Sequence, residues 1–474
     1  MFVRAMTICK FPLLLVVLCL ANPVFAESNL ESLNREIAEQ REKMAEQTRK
    51  MEEMEKRLDI VTGTPASPAI GTAVDEAKEA EAVDSALTER EPIVGVSQRE
   101  EHYGPFSDEG FAKSVPLFGS DWRFSFGGYV KLDIIHDFDG TGDEFQLVTP
   151  TIPVEGAPGP QPGSYTNIHV RETRFSFEVR NARDGLPYNK AFLEMDFFDM
   201  RNTAPRLRHA YMQWGNFLAG QTWTTLTMMQ QLPFLLDFAY GDSLWGGRAP
   251  QLRWDQKIDD HWSWAVAVED WVDNAVANPY DLPGTARSEW PLFALRGNYT
   301  WGRGTVSLGT SLAQVRWDGT DGIDDDSELA WAFVVGGRFY LDAANRHFLG
   351  FGGSYGYGQS GNQINLLEAG AANAVLEPDG SLDLQRSWNT QLALHYEISQ
   401  QWSTNWSVAY GGTDPDEALF PNALKASGAG HANLIWNLAP EFLIGAEYMI
   451  GERENANGAD GIAHRIQFST MYSF

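Results

Sequence analysis

The stretch WRFSFGGYVKLDI at residues 122–134 decides the fold class of this 474-residue chain. Large apolar side chains alternate there with polar or small ones, so one face of the extended segment is apolar and the other polar. The stretch is about twice as long as an ordinary globular strand. A tilted strand needs about 9–11 residues to cross a bilayer. The pattern therefore predicts a transmembrane β-strand.

The same alternation recurs to the end of the chain. It predicts sixteen strands, near residues 122–136, 168–180, 188–197, 206–214, 217–222, 250–256, 261–270, 290–300, 304–315, 328–340, 345–357, 387–398, 401–411, 428–437, 441–450 and 463–474. Connections after even-numbered strands are short, whereas most of those after odd-numbered strands are long. Short periplasmic turns and long outer loops are typical of outer-membrane barrels, which have an even number of strands. A soluble all-β fold, the alternative, has no reason to keep this parity.

Composition supports a barrel and excludes other classes. The chain contains 44 Gly and 12% aromatic residues, which favours a barrel. Its net charge of −28 argues against a nucleic-acid partner, since nucleic-acid binding needs a basic face. No apolar run reaches the 18 or so residues of a transmembrane helix. We expect the apolar barrel face to contact outer-membrane lipid and the acidic outer loops to face lipopolysaccharide.

The N-terminus predicts export. Residues 1–26 combine Arg4 and Lys10 with an apolar run and a small-residue cleavage site ending at Ala26, as in a secretory signal peptide. Both cysteines, Cys9 and Cys19, lie inside this segment. We therefore predict a mature chain without disulfides or thiol metal sites. The signal peptide and the barrel pattern together predict a location in the outer membrane of a Gram-negative bacterium, with the N-terminal region in the periplasm.

Residues 27–60 predict a coiled coil, followed by a flexible acidic linker over 61–121 and the barrel domain over 122–474. Apolar residues recur every 3.5 positions from Leu30 to Leu58, with Gln40 and Gln47 at two core positions. A single charged helix is the alternative interpretation. We favour three parallel helices, because the barrel suggests a trimer.

The long connection after the fifth strand is a candidate constriction loop. Its segment 225–247 is unusually apolar for a loop that faces water. Folded inward, it would narrow the lumen, whereas packing on a neighbouring subunit is the alternative. The loop residues selected for this role are Met228, Phe234, Asp237 and Asp242.

Strand phase predicts which charged side chains face the lumen. The candidate lining residues are Lys131, Arg174, Arg206, Arg208, Arg253 and Arg296. Arginines at a constriction can bind carboxylates through forked hydrogen bonds and exclude cations. The alternative is that each arginine pairs with a lumen carboxylate, which leaves little net field. The same phase places His209 on the face of Leu207 and Tyr211.

The chain resembles the DcaP-like outer-membrane porins. The resemblance lies in the N-terminal heptads and in FGGYVKLD at 126–133, VRETRF at 170–175, LRHAY at 207–211, AGQTWT at 219–224 and PQLRW at 250–254. It implies a trimer of sixteen-stranded barrels, with passive uptake of small anions, notably dicarboxylates. It also implies that Arg174, Arg208 and Arg253 line the anion path and that the Gly-Gln-Thr-Trp segment leads into the constriction loop.

Three functional hypotheses remain open at this stage. The first is a selective channel for small anions, and the second is a general or sugar-permeating porin. The third is a structural tether whose coiled coil and linker contact the cell wall or a partner. The sequence contains no HExxH or CxxC motif, and its nine histidines are scattered singly. We expect no catalytic residue, cofactor or metal.

Overall fold

The structure is a computed structural model of the chain and describes residues 114–117, 122–156, 163–181, 189–198, 204–239, 244–270, 275–363 and 372–474. The predicted signal peptide, the predicted coiled coil and most of the predicted linker lie outside these ranges. Regular structure within them consists of β-strands and single 3-10 turns. No helix in the described part has the length and hydropathy to cross a membrane.

Sixteen strands of the described chain form one antiparallel barrel sheet. Their bounds are β1 Trp122–Asp137, β2 Tyr165–His169 continued by Arg174–Asn181, β3 Asn189–Asp196, β4 Arg206–Trp214, β5 Phe217–Trp223, β6 Arg248–Lys257, β7 Trp262–Glu269, β8 Leu292–Trp301, β9 Gly304–Gly319, β10 Asp326–Tyr340, β11 Phe348–Tyr357, β12 Arg386–Glu397, β13 Trp402–Thr413, β14 Leu424–Ala439, β15 Phe442–Asn455 and β16 Asp460–Ser473. The sequence prediction of a sixteen-stranded barrel is confirmed.

The first strand closes the sheet. β1 pairs with β2 on one side and, from Tyr129 to Asp137, with β16 on the other. On the N-terminal side of Tyr129 the short segment Val115–Pro116 pairs with β1 instead. This segment belongs to the range predicted as a linker. Closure leaves no open sheet edge, as a β-sheet inside a bilayer requires.

The strand bounds differ from the prediction in two ways. β2 is interrupted at residues 170–173, where the Thr173 N–H donates to the Val170 carbonyl (3.0 Å) in a turn. In addition, β9, β10, β15 and β16 extend beyond their predicted ends into segments that were predicted as outer loops. Alternation alone does not show where a hairpin leaves the bilayer.

The outward face of the barrel is apolar. Leu308, Phe333 and Leu392 lie in mid-strand and are each at least 60% exposed. Side chains of this kind are stable on an outer face only when lipid covers them. Aromatic pairs such as Trp402 with Trp436, stacked at 5.3 Å, lie near the strand ends at the short turns. Aromatic residues at that level form the girdle of a membrane barrel.

The largest buried cluster lies inside the barrel. Wall residues such as Ala332 pack there against loop residues such as Trp245 and Leu376. The loops contribute a small three-stranded sheet of Val276–Ala277, Ala374–Leu376 and Leu382–Leu384. The connections between strands therefore determine how much of the lumen stays open.

Candidate permeation pathway

The connection between β5 and β6, residues 224–247, runs inside the barrel and is called here the inner loop. Its residues 240–243 are outside the described ranges. The loop begins against β7 and β8. The Thr225 N–H donates to Glu269 Oε1 (2.6 Å), and Arg296 Nη1 donates to the Thr225 carbonyl (2.7 Å). Both polar groups of the Thr225 backbone are thus held by the wall.

Wall glycines make room for the middle of the inner loop. Gln231 occupies the space that a Cβ atom would fill at Gly336, Gly350 and Gly352 on β10 and β11. Arg338 on β10 donates from Nε to a loop carbonyl at 2.8 Å. A larger residue at these glycines would collide with the loop. The wall sequence therefore specifies where the loop lies.

The inner loop reaches the opposite wall at Leu236. The Leu236 N–H donates to Glu447 Oε2 on β15 (2.6 Å). The Leu236 carbonyl accepts hydrogen bonds from Lys131 Nζ on β1 (2.6 Å) and Gln467 Nε2 on β16 (2.9 Å). One peptide of the loop therefore bridges the two strands that close the barrel.

The predicted loop residues occupy different positions along this path. Met228 is buried against the wall of β8 to β10, and Phe234 packs beside β14 to β16. Asp237 is buried and accepts a hydrogen bond from the Leu147 N–H (3.0 Å), which ties the first outer loop to the inner loop. Asp242 lies outside the described residues.

Charges alternate across three neighbouring strands beside the inner loop. Arg174 on β2 is opposite Asp196 on β3, which is opposite Arg206 on β4. We call these three residues the alternating row. Arg206 donates from Nε and Nη2 to the two oxygens of Asp196 (3.0 and 2.8 Å). Arg208 bridges Glu194 (2.7 Å) and Asp196 (3.1 Å).

Exposure separates these arginines. The side chain of Arg206 is 33% exposed, whereas that of Arg208 is 1% exposed. Phe238 of the inner loop stacks on Phe198 at 4.0 Å, and the Arg206 guanidinium lies 5.2 Å from the Phe238 ring centroid. Phe238 of the inner loop thus lies against the accessible guanidinium of this cluster.

A bulge in β4 lets both Arg208 and His209 face the barrel interior. Glu194 is opposite His209, but the next residue of β3 is opposite Leu207, so Arg208 is the extra residue. Arg208 and His209 are both 1% exposed, whereas Leu207 faces the lipid. His209 contacts Thr222 Oγ1 (3.0 Å). The prediction that His209 shares the face of Leu207 was wrong, because the bulge interrupts the period-2 alternation.

A second row of charges lies nearer the short turns. Arg123 on β1 is opposite Arg180 on β2, and Arg180 is opposite Lys190 on β3. We call these three residues the cationic row. Glu178 accepts a hydrogen bond from Arg180 Nε. Lys190 was not among the residues predicted to face the lumen, although the pairing of β2 with β3 across their short turn places it beside Arg180.

The six residues predicted to line the path have three kinds of contact. Lys131 and Arg296 hold loop carbonyls, as described above. Arg174 and Arg208 are buried beside Glu194, at 3.5 and 2.7 Å. Arg206 and Arg253 each pair with a carboxylate on the lumen side, and Arg253 contacts Asp255 at 2.9 Å with 10% of its side chain exposed.

Residues 352–356 match the G-x-S-x-G pattern of hydrolase nucleophile elbows. That motif needs a sharp turn from a strand into a helix. Here Ser354 lies in mid-strand on β11 and donates to Asn389 Oδ1 (2.8 Å). Within the described ranges, no three His, Cys, Asp or Glu side chains are grouped to hold a metal ion.

The comparisons with known proteins agree with this architecture. The family model for the DcaP outer membrane protein matches residues 112–474, so the chain belongs to that family. The chain is a porin of the Gram-negative outer membrane. A search of curated proteins finds no match.

Two solved structures illustrate the likeness. The outer membrane channel DcaP of Acinetobacter baumannii is similar with a TM-score of 0.65 and 18% identity, over 74% of this chain and 97% of that one. The anion-selective porin from Comamonas acidovorans is similar with a TM-score of 0.50 and 10% identity, over 74% of this chain and 100% of that one. At these identities the likeness concerns the fold.

Proposed function

We propose that this porin carries small anionic solutes, and dicarboxylates in particular, by passive diffusion through a constriction between the inner loop and the arginines of β2, β4 and β6. The solute would enter between the outer loops, bind briefly at the constriction and leave into the periplasm. Binding at such a site must stay weak, because a tightly held solute would block its own channel.

The accessibility of Arg206 carries this proposal. Asp196 uses Nε and Nη2 of the guanidinium, but a guanidinium has five N–H donors. Donors on the exposed part of the side chain can therefore bind a solute carboxylate. The rings of Phe198 and Phe238 lie 5.6 and 5.2 Å from this guanidinium and hold it in place without using its N–H groups.

The carboxylate partners favour a second candidate, a general or sugar-permeating porin. Glu194 and Asp196 neutralise much of the charge of Arg206 and Arg208. A lumen with little net field would pass neutral solutes as readily as anions.

The reversal potential of the purified protein in a planar bilayer under a KCl gradient separates these candidates. We expect an anion-selective value that falls when Arg206 is replaced by Gln. Arg346→Gln, which removes a charge from an exposed short turn, serves as the control. A near-zero or cation-selective reversal potential would contradict the anion channel and favour the general porin.

We also propose a homotrimer, held partly by the coiled coil over residues 27–60. Native gel electrophoresis after deletion of these residues should show fewer trimers, whereas unchanged assembly would assign the contacts to the barrel alone. Deletion of residues 27–121 tests the tethering hypothesis in cells. Loss of envelope integrity with normal conductance would support contact with the cell wall.

A further inference from the structure

Aromatic side chains mark both membrane interfaces on the side of the barrel formed by β8 to β11. At the long-loop end, Trp331 on β10 lies beside Tyr357 on β11, with the ring centroids 5.5 Å apart. At the short-turn end, Tyr299 and Trp301 of β8 stack at 5.8 Å. Trp and Tyr prefer the level of the lipid headgroups, and about 9–11 residues of tilted strand span the hydrocarbon between the two levels. This side of the barrel therefore faces lipid.

A depression in the lipid-facing surface lies between these two aromatic levels. Its volume is about 660 Å³, within the roughly 300–1,000 Å³ that is usual for ligand pockets. The lining mixes small and large residues and includes Gly297, Thr310, Gly353, Leu308, Phe333 and Tyr355. A Cβ atom on Gly297 would meet no atom within 4 Å, so the depression is open at this point. The wall thus has space for a ligand on its outer face.

The composition of the depression selects an apolar ligand. Leu308 and Phe333 are more than half exposed, and most of the lining surface is apolar. An ion or a sugar would lose its hydrogen bonds to water here without replacement. Lipid already surrounds this part of the barrel, so an acyl chain is the apolar group that can enter.

A guanidinium lies at the outer end of the depression. Arg386 on β12 is opposite Tyr357 and lies beside the hydroxyl of Tyr355. Its Nη2 pairs with Asp414, and 39% of the side chain remains exposed. A guanidinium has five N–H donors, so this pair leaves donors for a phosphate oxygen. An apolar groove and a phosphate-binding group at the level of the headgroups therefore lie side by side.

We propose that this depression binds lipid A, the acylated and phosphorylated anchor of lipopolysaccharide, with one acyl chain in the groove and a phosphate at Arg386. The aromatic level at Trp331 and Tyr357 is the outer one, because long loops face the cell exterior in barrels of this kind. On the lumen side of the same strands, Gly309 and Gly336 make room for the inner loop. A bound lipid would therefore stabilise the part of the wall on which the inner loop rests.

Native mass spectrometry of the full-length protein, stripped of lipid in detergent and titrated with lipid A, tests the site. Gly297→Leu fills the depression and should weaken binding at least about fourfold, the effect of one lost methylene contact. Ala432→Leu adds the same side chain to the lipid face of β14, outside the depression, and should bind as the wild type does. Arg386→Gln should weaken binding about two- to fivefold, as expected for a partly exposed ion pair. Lys425→Gln, which breaks another exposed ion pair at the outer rim, is its control.

Weaker binding in Gly297→Leu and Arg386→Gln, with unchanged binding in Ala432→Leu, would support the site. Lipid A without phosphates should bind the wild type and Arg386→Gln equally. The same lipid A affinity in the wild type, Gly297→Leu and Arg386→Gln would overturn the site and leave an adventitious lipid only. Weaker binding in Gly297→Leu alone would overturn the phosphate contact, and tighter binding of phosphatidylglycerol than of lipid A would overturn the choice of lipid. If Gly297→Leu does not assemble, Thr310→Leu on the neighbouring strand β9 decides in the same way.

Discussion

The alternating row and the cationic row use the same strands in opposite ways. On β2 and β3, Arg174 and Asp196 belong to the first row, and Arg180 and Lys190 to the second. In the first row each arginine has a carboxylate neighbour, because Arg206 pairs with Asp196 and Arg174 lies 3.5 Å from Glu194. In the second row three cations are direct cross-strand neighbours, and Arg180 pairs with Glu178.

The two rows show two roles that charged side chains can have inside a barrel. A buried pair with both partners present has a fixed geometry, and removal of one partner leaves a costly unpaired charge. A row of like charges is costly in itself and gains when a mobile anion binds. We therefore expect the buried members of the alternating row to control stability, and the exposed Arg206 together with the cationic row to control selectivity. Four predictions test this division.

The largest effect is expected at Asp196. Replacement by Ala removes the shared partner of Arg206 and Arg208 and should lower the free energy of unfolding by about 3–5 kcal/mol. Urea unfolding followed by tryptophan fluorescence measures this change. Asp255→Ala is the matched control and should cost less, because Asp255 is 15% exposed whereas Asp196 is fully buried and pairs with two arginines. Equal losses in the two variants would contradict the division.

The next effect concerns the inner loop. Gly350→Ala puts a methyl group where the Gln231 carbonyl now lies and should push the loop toward the lumen, at a cost of about 1–3 kcal/mol. Single-channel conductance should fall, while the anion preference should persist because the substitution leaves the charges of the cationic row in place. Gly297→Ala on β8 has open space around it and is the control. Loss of anion preference in Gly350→Ala would mean that the loop, not the cationic row, sets selectivity.

A smaller effect is expected when the cationic row is made alternating. Lys190→Glu places a carboxylate opposite Arg180 and should reduce the permeability ratio of chloride to potassium about two- to fivefold. The reversal potential measures this ratio. Lys425→Glu reverses a charge on an exposed residue of β14 and should leave the ratio nearly unchanged. An undiminished ratio in Lys190→Glu would assign selectivity to Arg206.

The smallest effect comes from ionic strength. The screening length falls from about 10 Å at 0.1 M salt to about 3 Å at 1 M. Anion preference of the wild-type channel should therefore decline as KCl rises, whereas Lys190→Glu should show a flatter dependence. If anion preference declined equally with KCl concentration in the wild type and in Lys190→Glu, the cationic row would not be the source of the salt effect.

The sequence was sufficient for the barrel and insufficient for the details of its lumen. Period-2 alternation and loop parity predicted all sixteen strands, because membrane strands must repeat one simple pattern. The bulge at Arg208 was not predicted, since one extra residue changes which side chains face inward without changing composition. The interruption of β2 at 170–173 was missed for the same reason.

Contacts across the lumen could not be predicted from the sequence either. Strand phase correctly placed Lys131 and Arg296 on the inner face. It could not show that their charged groups hold the carbonyls of Leu236 and Thr225, because these contacts join residues far apart in the chain. Strand phase also predicted that both acidic and basic side chains face the lumen. It could not predict which carboxylate pairs with which arginine.

The bridge at Leu236 has a consequence for assembly. Its carbonyl is held by Lys131 on the first strand and Gln467 on the last, which meet only when the sheet closes. The complete bridge therefore cannot form before the first and last strands pair. A barrel still waiting for its final strand lacks this anchor, although the loop keeps its contacts with Arg296 and Arg338. We therefore expect Leu236 to reach its final position only after closure, and an intermediate without the last strand to leak more than the finished porin.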